Sequence, residues 1–201
     1  GLSAYQSLKV AIIGHGDYWD QGVELSKQGF EVWGLNDIRP TFGPEDADRW
    51  FQLHALEYLE EFWPPWNTTM RSKWEAYWAK GGKTSLYMHQ HYGGLSGSVA
   101  FPKDEIYQHF PRGWYHCGSF DWLVSYALLL DAIEIRLFGI RLTHNNEPLS
   151  ARACLEYWLG VAEGRGCKTE VVSYDLFYTF QLLRSHRRYG WDDSRPIVDL
   201  K

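Results

Sequence analysis

Cysteine is scarce in this chain: Cys117, Cys154 and Cys167 stand far apart and form no CxxC pair. Such spacing gives no disulfide framework and predicts reduced thiols of a cytosolic protein. Long apolar runs are missing too. The longest is broken by Asp131 and Glu134, short of the ~20 residues a membrane span needs. No basic stretch leads into an apolar one at the start, so no signal peptide is expected. A basic excess is also absent, with 20 Lys and Arg against 25 Asp and Glu. General affinity for a nucleic-acid backbone needs the opposite balance, and no nucleic-acid partner is expected. One basic cluster, Arg184, His186, Arg187 and Arg188, reads as a solvated helix end at the negative pole of the helix dipole.

Aromatic residues are abundant: eleven Trp, thirteen Tyr and ten Phe, many of them between Trp50 and Trp78 and again between Trp114 and Trp122. Three readings are open. Large rings fill a small core, or cover an interface between copies of the chain, or stack a flat ligand ring. The surplus favours a homo-oligomer over a monomer.

The chain of 201 residues is long enough for one domain with its own core, and no linker or repeat divides it. Leu8 to Ile13 is a near-continuous apolar run of strand length, as buried parallel strands are. It ends at Gly14-His15-Gly16-Asp17, followed by a helix through Gln28, stopped by Gly29. Phe30 to Leu35 is a second strand, ending at Asn36-Asp37, and Arg49 to His54 a third. The order strand, glycine turn, helix, strand is a βαβ unit.

Residues 55–112 are less regular and read as a lid-like insert. Within them Thr69 to Lys80 is a helix, Leu86 to His89 a short strand, Tyr92 to Pro102 a Gly/Ser-rich loop and Asp104 to Phe110 a short helix. Beyond them come a buried helix from Ser119 to Ala132 with Ser119 as its cap, a strand Glu134 to Ile140, a helix Leu149 to Gly164, a strand Lys168 to Ser173 and a helix Asp175 to Arg188. Strands alternating with helices predict a three-layer α/β fold with a mostly parallel sheet. Ligands of such sheets bind outside the carboxyl ends of the strands.

That rim collects the candidate site. Gly14, His15, Gly16 and Asp17 open a helix after a buried strand, where backbone amides can face an anion, although a tight turn alone also selects glycine. Cys117-Gly118-Ser119 is a second such turn, with plain capping by Ser119 as the other reading. Asn36 and Asp37 hold the position that commonly meets ribose hydroxyls. His54 and His144 serve as acid or base, or as neutral partners of a bound ring. Arg141 ends a buried strand and suits a phosphate; Arg152 suits either a phosphate or a solvated helix face. His89 and His91 form an HxH pair with no Cys or carboxylate at zinc spacing, so no metal site is expected, and no resident cofactor. No GxSxG elbow, Ser/His/Asp order or P-loop lysine is present.

Several segments together resemble a group of uncharacterised tailed-phage Rossmann-like proteins. They are Val10 to Gly16, Glu31 to Asp37, Asp48 to His54, Trp114 to Trp122, Glu134 to Ile140 and Tyr157 to Gly166. The resemblance implies a Rossmann-like fold, a phage origin and a host-cytoplasm location. More distantly, the layout is similar to the small bacterial sialyltransferases that use a CMP-linked donor. That similarity implies that Gly14, Gly16, Asn36, Gly118 and Ser119 line a nucleotide site, with His144 in the region of the base. Three positions depart from that pattern. Asp17-Tyr18 stands where those enzymes have Pro-Ser, and Arg141 where they have the Asp of Gly-Ile-Asp. A guanidinium in place of a carboxylate favours holding an anion over transfer chemistry. Phages also encode proteins that sequester nucleotide immune signals, such as ADP-ribose derivatives. The expectation is therefore a binding protein that holds such a ligand without turnover. A glycosyltransferase with His144 or His54 as base is the alternative, and a structural or partner-binding phage protein the third reading.

Overall fold

A computed structural model describes residues 7–140, 142 and 149–172. Seven strands form one sheet in which every pairing is parallel. They are β1 (Lys9–Ile13), β2 (Glu31–Leu35), β3 (Arg49–Phe51), β4 (Ser85–Met88), β5 (Ser98–Ala100), β6 (Glu134–Phe138) and β7 (Lys168–Val172). Their spatial order is β5-β4-β3-β2-β1-β6-β7. The chain steps outward from β1 to β5, then returns to lay β6 on the other side of β1.

Both faces of the sheet are covered, which explains why β1 reads as a continuous apolar run. Val10 and Ile12 point into one core, against α4 (Lys103–His109), α5 (Ser119–Leu129) and α6 (Leu149–Gly164). Ala11 and Ile13 point into the other, under α1 (Trp19–Val23), α2 (Leu56–Phe62) and α3 (Arg71–Ala79). The result is the three-layer, Rossmann-like α/β architecture. Trp33, Trp50, Trp66, Trp74 and Trp158 are all fully buried. Each such side chain contributes about 1.5–3 kcal/mol of burial. Core filling thus takes up much of the aromatic surplus.

Several boundaries differ from the sequence reading. The first helix is a short α1 continued by a 3-10 turn at Glu24–Gln28, and Gly29 closes it in the left-handed region at φ 77°. α3 is preceded by a π-helical turn at Trp66–Met70. The stretch Tyr92 to Pro102, expected as a loop, contains β5; three residues at a sheet edge carry too little pattern to be read. Residues 55–112 therefore supply two of the seven strands. β3 is shorter than expected, which leaves Gln52, Leu53 and His54 on the rim. Ser119 is not the cap of α5. Gly118 holds that position, and the Asp121 carboxylate accepts the amides of Cys117 and Gly118 at 3.0 and 2.9 Å. Arg141, His144, the basic cluster at 184–188 and the expected last helix lie outside the described residues.

Arg49 locks the opposite end of the sheet. Its guanidinium donates to Glu31 at 2.9 Å, to the Tyr126 hydroxyl at 3.0 Å and to that of Tyr87 at 3.1 Å. It also lies over the Trp33 ring. A charge-assisted knot there leaves the carboxyl ends of the strands as the open side.

Candidate functional site

The return from β5 to β6 makes the switch point of the sheet at β1, and a crevice opens above it. Two turns meet there. The Gly14 amide donates to the Phe138 carbonyl at 2.7 Å and the Gly16 amide to that of Gly139 at 2.6 Å. Gly139 sits at φ +65° with its backbone against that of Gly14. The turn after β1 and the turn after β6 are thus fastened by two of the amides that were expected to face an anion, those of Gly14 and Gly16. At the second small-residue turn, Asp121 occupies the amides of Cys117 and Gly118 in the same way. An anion cradle built from these four amides is not open.

The crevice itself has two lobes. The larger, 440 Å³, is lined by His15, Gly16, Asp37, Gln52, Tyr58 and Trp63 among others. The smaller, 210 Å³, is lined by Cys117, Gly118, Ser119, Asp121, Leu142 and Ala151 among others. Leu35, Asn36, His54 and Phe120 belong to both walls, so the lobes adjoin. Of the expected site residues, the rim brings together His15, Gly16, Asn36, Asp37, His54, Gly118 and Ser119. Gly14 lies beneath, packed toward the Phe120 ring. Among the described residues the lining does not include Asp17, exposed in the first turn, or Arg152, half-buried near the start of α6.

Asn36 stands at the junction. It adopts φ 58°, a left-handed conformation that Asn tolerates better than most residues. Its amide donates to the Phe51 carbonyl at 2.8 Å, and its carbonyl accepts Trp50 Nε1 at 2.9 Å. The backbone is thus pinned while the side chain is not. Its Oδ1 is buried without a hydrogen-bond partner among the described residues. Such an acceptor costs about 1–3 kcal/mol unless something fills it.

Two histidines flank it. His15 Nε2 donates to the Leu35 carbonyl at 3.1 Å, and Arg39 Nε donates to His15 Nδ1 at 3.3 Å. Burial lowers the pKa of His15 and the Arg39 charge adds to this, while the Leu35 hydrogen bond and Asp37 oppose it. Burial likewise lowers His54, with Asp37 opposing and His89 adding. Both are therefore neutral imidazoles at pH 7. Arg39, which the sequence reading passed over, also donates to the Gly14 carbonyl and lies 5.6 Å from the Trp19 ring centre. It puts a cation beside His15, one residue back from the lining of the larger lobe, which does not include Arg39 itself.

Gln52 and Phe120 were missed as well. Gln52 directly follows a buried strand and is itself only 3% exposed. That burial is a tertiary fact, and no local signal in the sequence marked it. The His89 and His91 side chains each meet a backbone carbonyl, of Leu53 at 2.8 Å and of Ser98 at 2.7 Å. No group of three His, Cys, Asp or Glu among the described residues is placed to hold a metal ion. No helix there is long and apolar enough to cross a membrane.

No protein-family model and no curated protein matches the chain. Among solved structures it is similar to the sialyltransferase CstII from Campylobacter jejuni, solved in complex with cytidine-5'-monophosphate. The TM-score is 0.52 at 14% identity, covering 84% of this chain and 80% of that one. At that identity the likeness concerns the fold. The fold and the crevice define an α/β protein of the Rossmann-like class with a cleft at its switch point.

Proposed function

We propose that the cleft binds a nucleotide-derived small molecule and that the protein sequesters it, an ADP-ribose-type signal of phage-infected cells being the first choice. The observation that carries the binding reading is the unpartnered Asn36 Oδ1 at the junction of the two lobes. It needs a donor, and a sugar hydroxyl or a base amine supplies one. Asp37 and the neutral His54 add acceptors beside it. Tyr58 and Trp63 offer ring faces for a base. The likeness to the fold of a sialyltransferase solved with cytidine-5'-monophosphate supports a nucleotide as the class of ligand. Since the amides of Gly14, Gly16, Cys117 and Gly118 are engaged, positive charge for a phosphate falls to Arg39, with Arg141 assigned from sequence alone.

The test is calorimetry and thermal unfolding with cytidine 5'-monophosphate and ADP-ribose. A ligand at 100 times its Kd adds about 2.7 kcal/mol of stability. Ligand recovered chemically intact after denaturation supports sequestration. No shift with either nucleotide overturns the reading and favours a structural or partner-binding protein.

A second reading has one observation in its favour. A neutral imidazole, His54, lines both lobes, as a general base of a nucleotide-sugar transferase would. Release of free nucleotide from a CMP-sugar, abolished in His54→Asn, selects it over sequestration.

A further inference from the structure

Gln52 is buried under the larger lobe, and its side chain meets His54 twice. The His54 backbone amide reaches Oε1 at 3.4 Å, and ring Nδ1 reaches the same atom at 2.6 Å. A backbone N–H can only donate, so the atom both groups approach is the amide oxygen. An oxygen that accepts from Nδ1 requires the proton to sit on Nδ1. In a neutral imidazole the other nitrogen, Nε2, then carries a bare lone pair. The Tyr58 ring holds the imidazole plane, stacked at 5.6 Å and 20°. Nε2 has no hydrogen-bond partner among the described residues.

We infer that Gln52 is a positioning residue: it fixes His54 as the Nδ1–H tautomer and so presents Nε2 to the cleft as an obligate acceptor, which selects a ligand carrying a hydroxyl at that point. Solvated histidine favours the other tautomer, which would offer a donor instead. The choice matters because Asn36 and Asp37 line the same lobe. His54 Nε2 and the Asp37 carboxylate give two acceptors for the two hydroxyls of a ribose diol, and a 2'- or 3'-deoxy sugar leaves one of them empty. Gln52 itself keeps its NH2 group for an acceptor atom of the ligand, since its oxygen is engaged by His54. The selection of a ligand rests on the binding reading above; the tautomer does not.

The tautomer is read directly by nitrogen-15 NMR of the histidine side chains of the unliganded protein near pH 8. The wild type is expected to show the His54 proton on Nδ1 and an unprotonated Nε2. Gln52→Met, which keeps the shape and removes the acceptor, is expected to shift the proton to Nε2. Gln52→Glu keeps an acceptor and is expected to restore Nδ1–H. A wild-type His54 protonated on Nε2, or a Gln52→Met variant still protonated on Nδ1, overturns the inference. Should Gln52→Met not fold, the wild-type and Gln52→Glu spectra decide it alone.

The second arm uses cytidine 5'-monophosphate and its 2'- and 3'-deoxy analogues as probes. The wild type is expected to bind the ribose form about tenfold better than the worse deoxy form, roughly the worth of one hydrogen bond. In Gln52→Met that preference is expected to fall below about twofold. A preference unchanged in Gln52→Met removes the selective role. Failure of all three nucleotides to bind overturns the selection, failure of ADP-ribose as well overturns the proposed function, and the spectra still judge the tautomer by themselves.

Discussion

Gly14 and Gly139 lie back to back, and neither tolerates a side chain. A Cβ on Gly14 would stand 2.5 Å from the Gly139 carbonyl oxygen; one on Gly139 would stand 2.6 Å from that of Gly14. The contact joins the ends of β1 and β6, the two strands that flank the switch point, and forms the floor beside the larger lobe. Gly14→Ala should therefore lose about 1–3 kcal/mol of stability through overpacking. Gly139→Ala should lose a further ~1 kcal/mol or more for its left-handed backbone. Gly118→Ala is the contrast. Its Cβ would meet only ordinary contacts, at 3.5 Å from Ala151 and 3.8 Å from Asp121, so little change is expected. Urea unfolding of the three variants measures this.

Asn36 should trade stability against binding. Asn36→Gly keeps the left-handed backbone without strain and removes a buried unpartnered acceptor. Its unfolding midpoint should match or exceed that of the wild type, while nucleotide affinity falls. A parallel loss of both would place Asn36 in the fold rather than in the site.

Asp121 should be the most sensitive polar residue of α5. It is 1% exposed and accepts from the Cys117 and Gly118 amides and from His116 Nδ1 at 3.0 Å. Asp121→Ala leaves these donors without their acceptor and should cost roughly 1–3 kcal/mol. Asp121→Asn retains an acceptor for the amides but loses the charge at the helix start, and should cost less. Chemical denaturation gives the order.

His15 and His54 should both titrate below the ordinary histidine value of 6.5. In the unfolded chain they take up protons as pH falls through that value, while the folded forms resist. Stability from these two rings is therefore present above about pH 6.5 and declines as pH drops toward their folded values. Proton NMR of the ring signals checks the direction. A titration midpoint above 6.5 for either ring would contradict it.

Arg39→Ala should weaken binding of a phosphorylated nucleotide more than of the matching nucleoside, because its cation sits beside His15, which lines the larger lobe. It should also raise the His15 titration midpoint, since the Arg39 charge helps to lower it. Calorimetry with cytidine and cytidine 5'-monophosphate separates the two effects.

Much of the architecture could be read from order along the chain. An apolar strand, a glycine turn and a second strand announced the βαβ unit, and the helix Leu149–Gly164 falls where its pattern put it. β5 escaped because three residues at an edge carry no period. The rim residues His15, Asn36, Asp37 and His54 could be placed from their positions after strands. Gln52 and Arg39 could not, since nothing local tells a buried amide or a bent-back arginine from a solvated one.

Local sequence by itself determined which segments are strands, where glycine must turn the chain and which residues reach the open rim, because apolar period and turn chemistry are short-range. What only the tertiary structure decided is how the donors on that rim are spent. The Gly16 amide lies far along the chain from the Gly139 carbonyl it meets, and Gln52 acts only once β3 has been buried between its neighbours. Hydrogen-bond satisfaction is settled by which groups meet in space, and that is why the amides of Gly14, Gly16, Cys117 and Gly118 proved engaged while the Asn36 oxygen remained without a partner among the described residues.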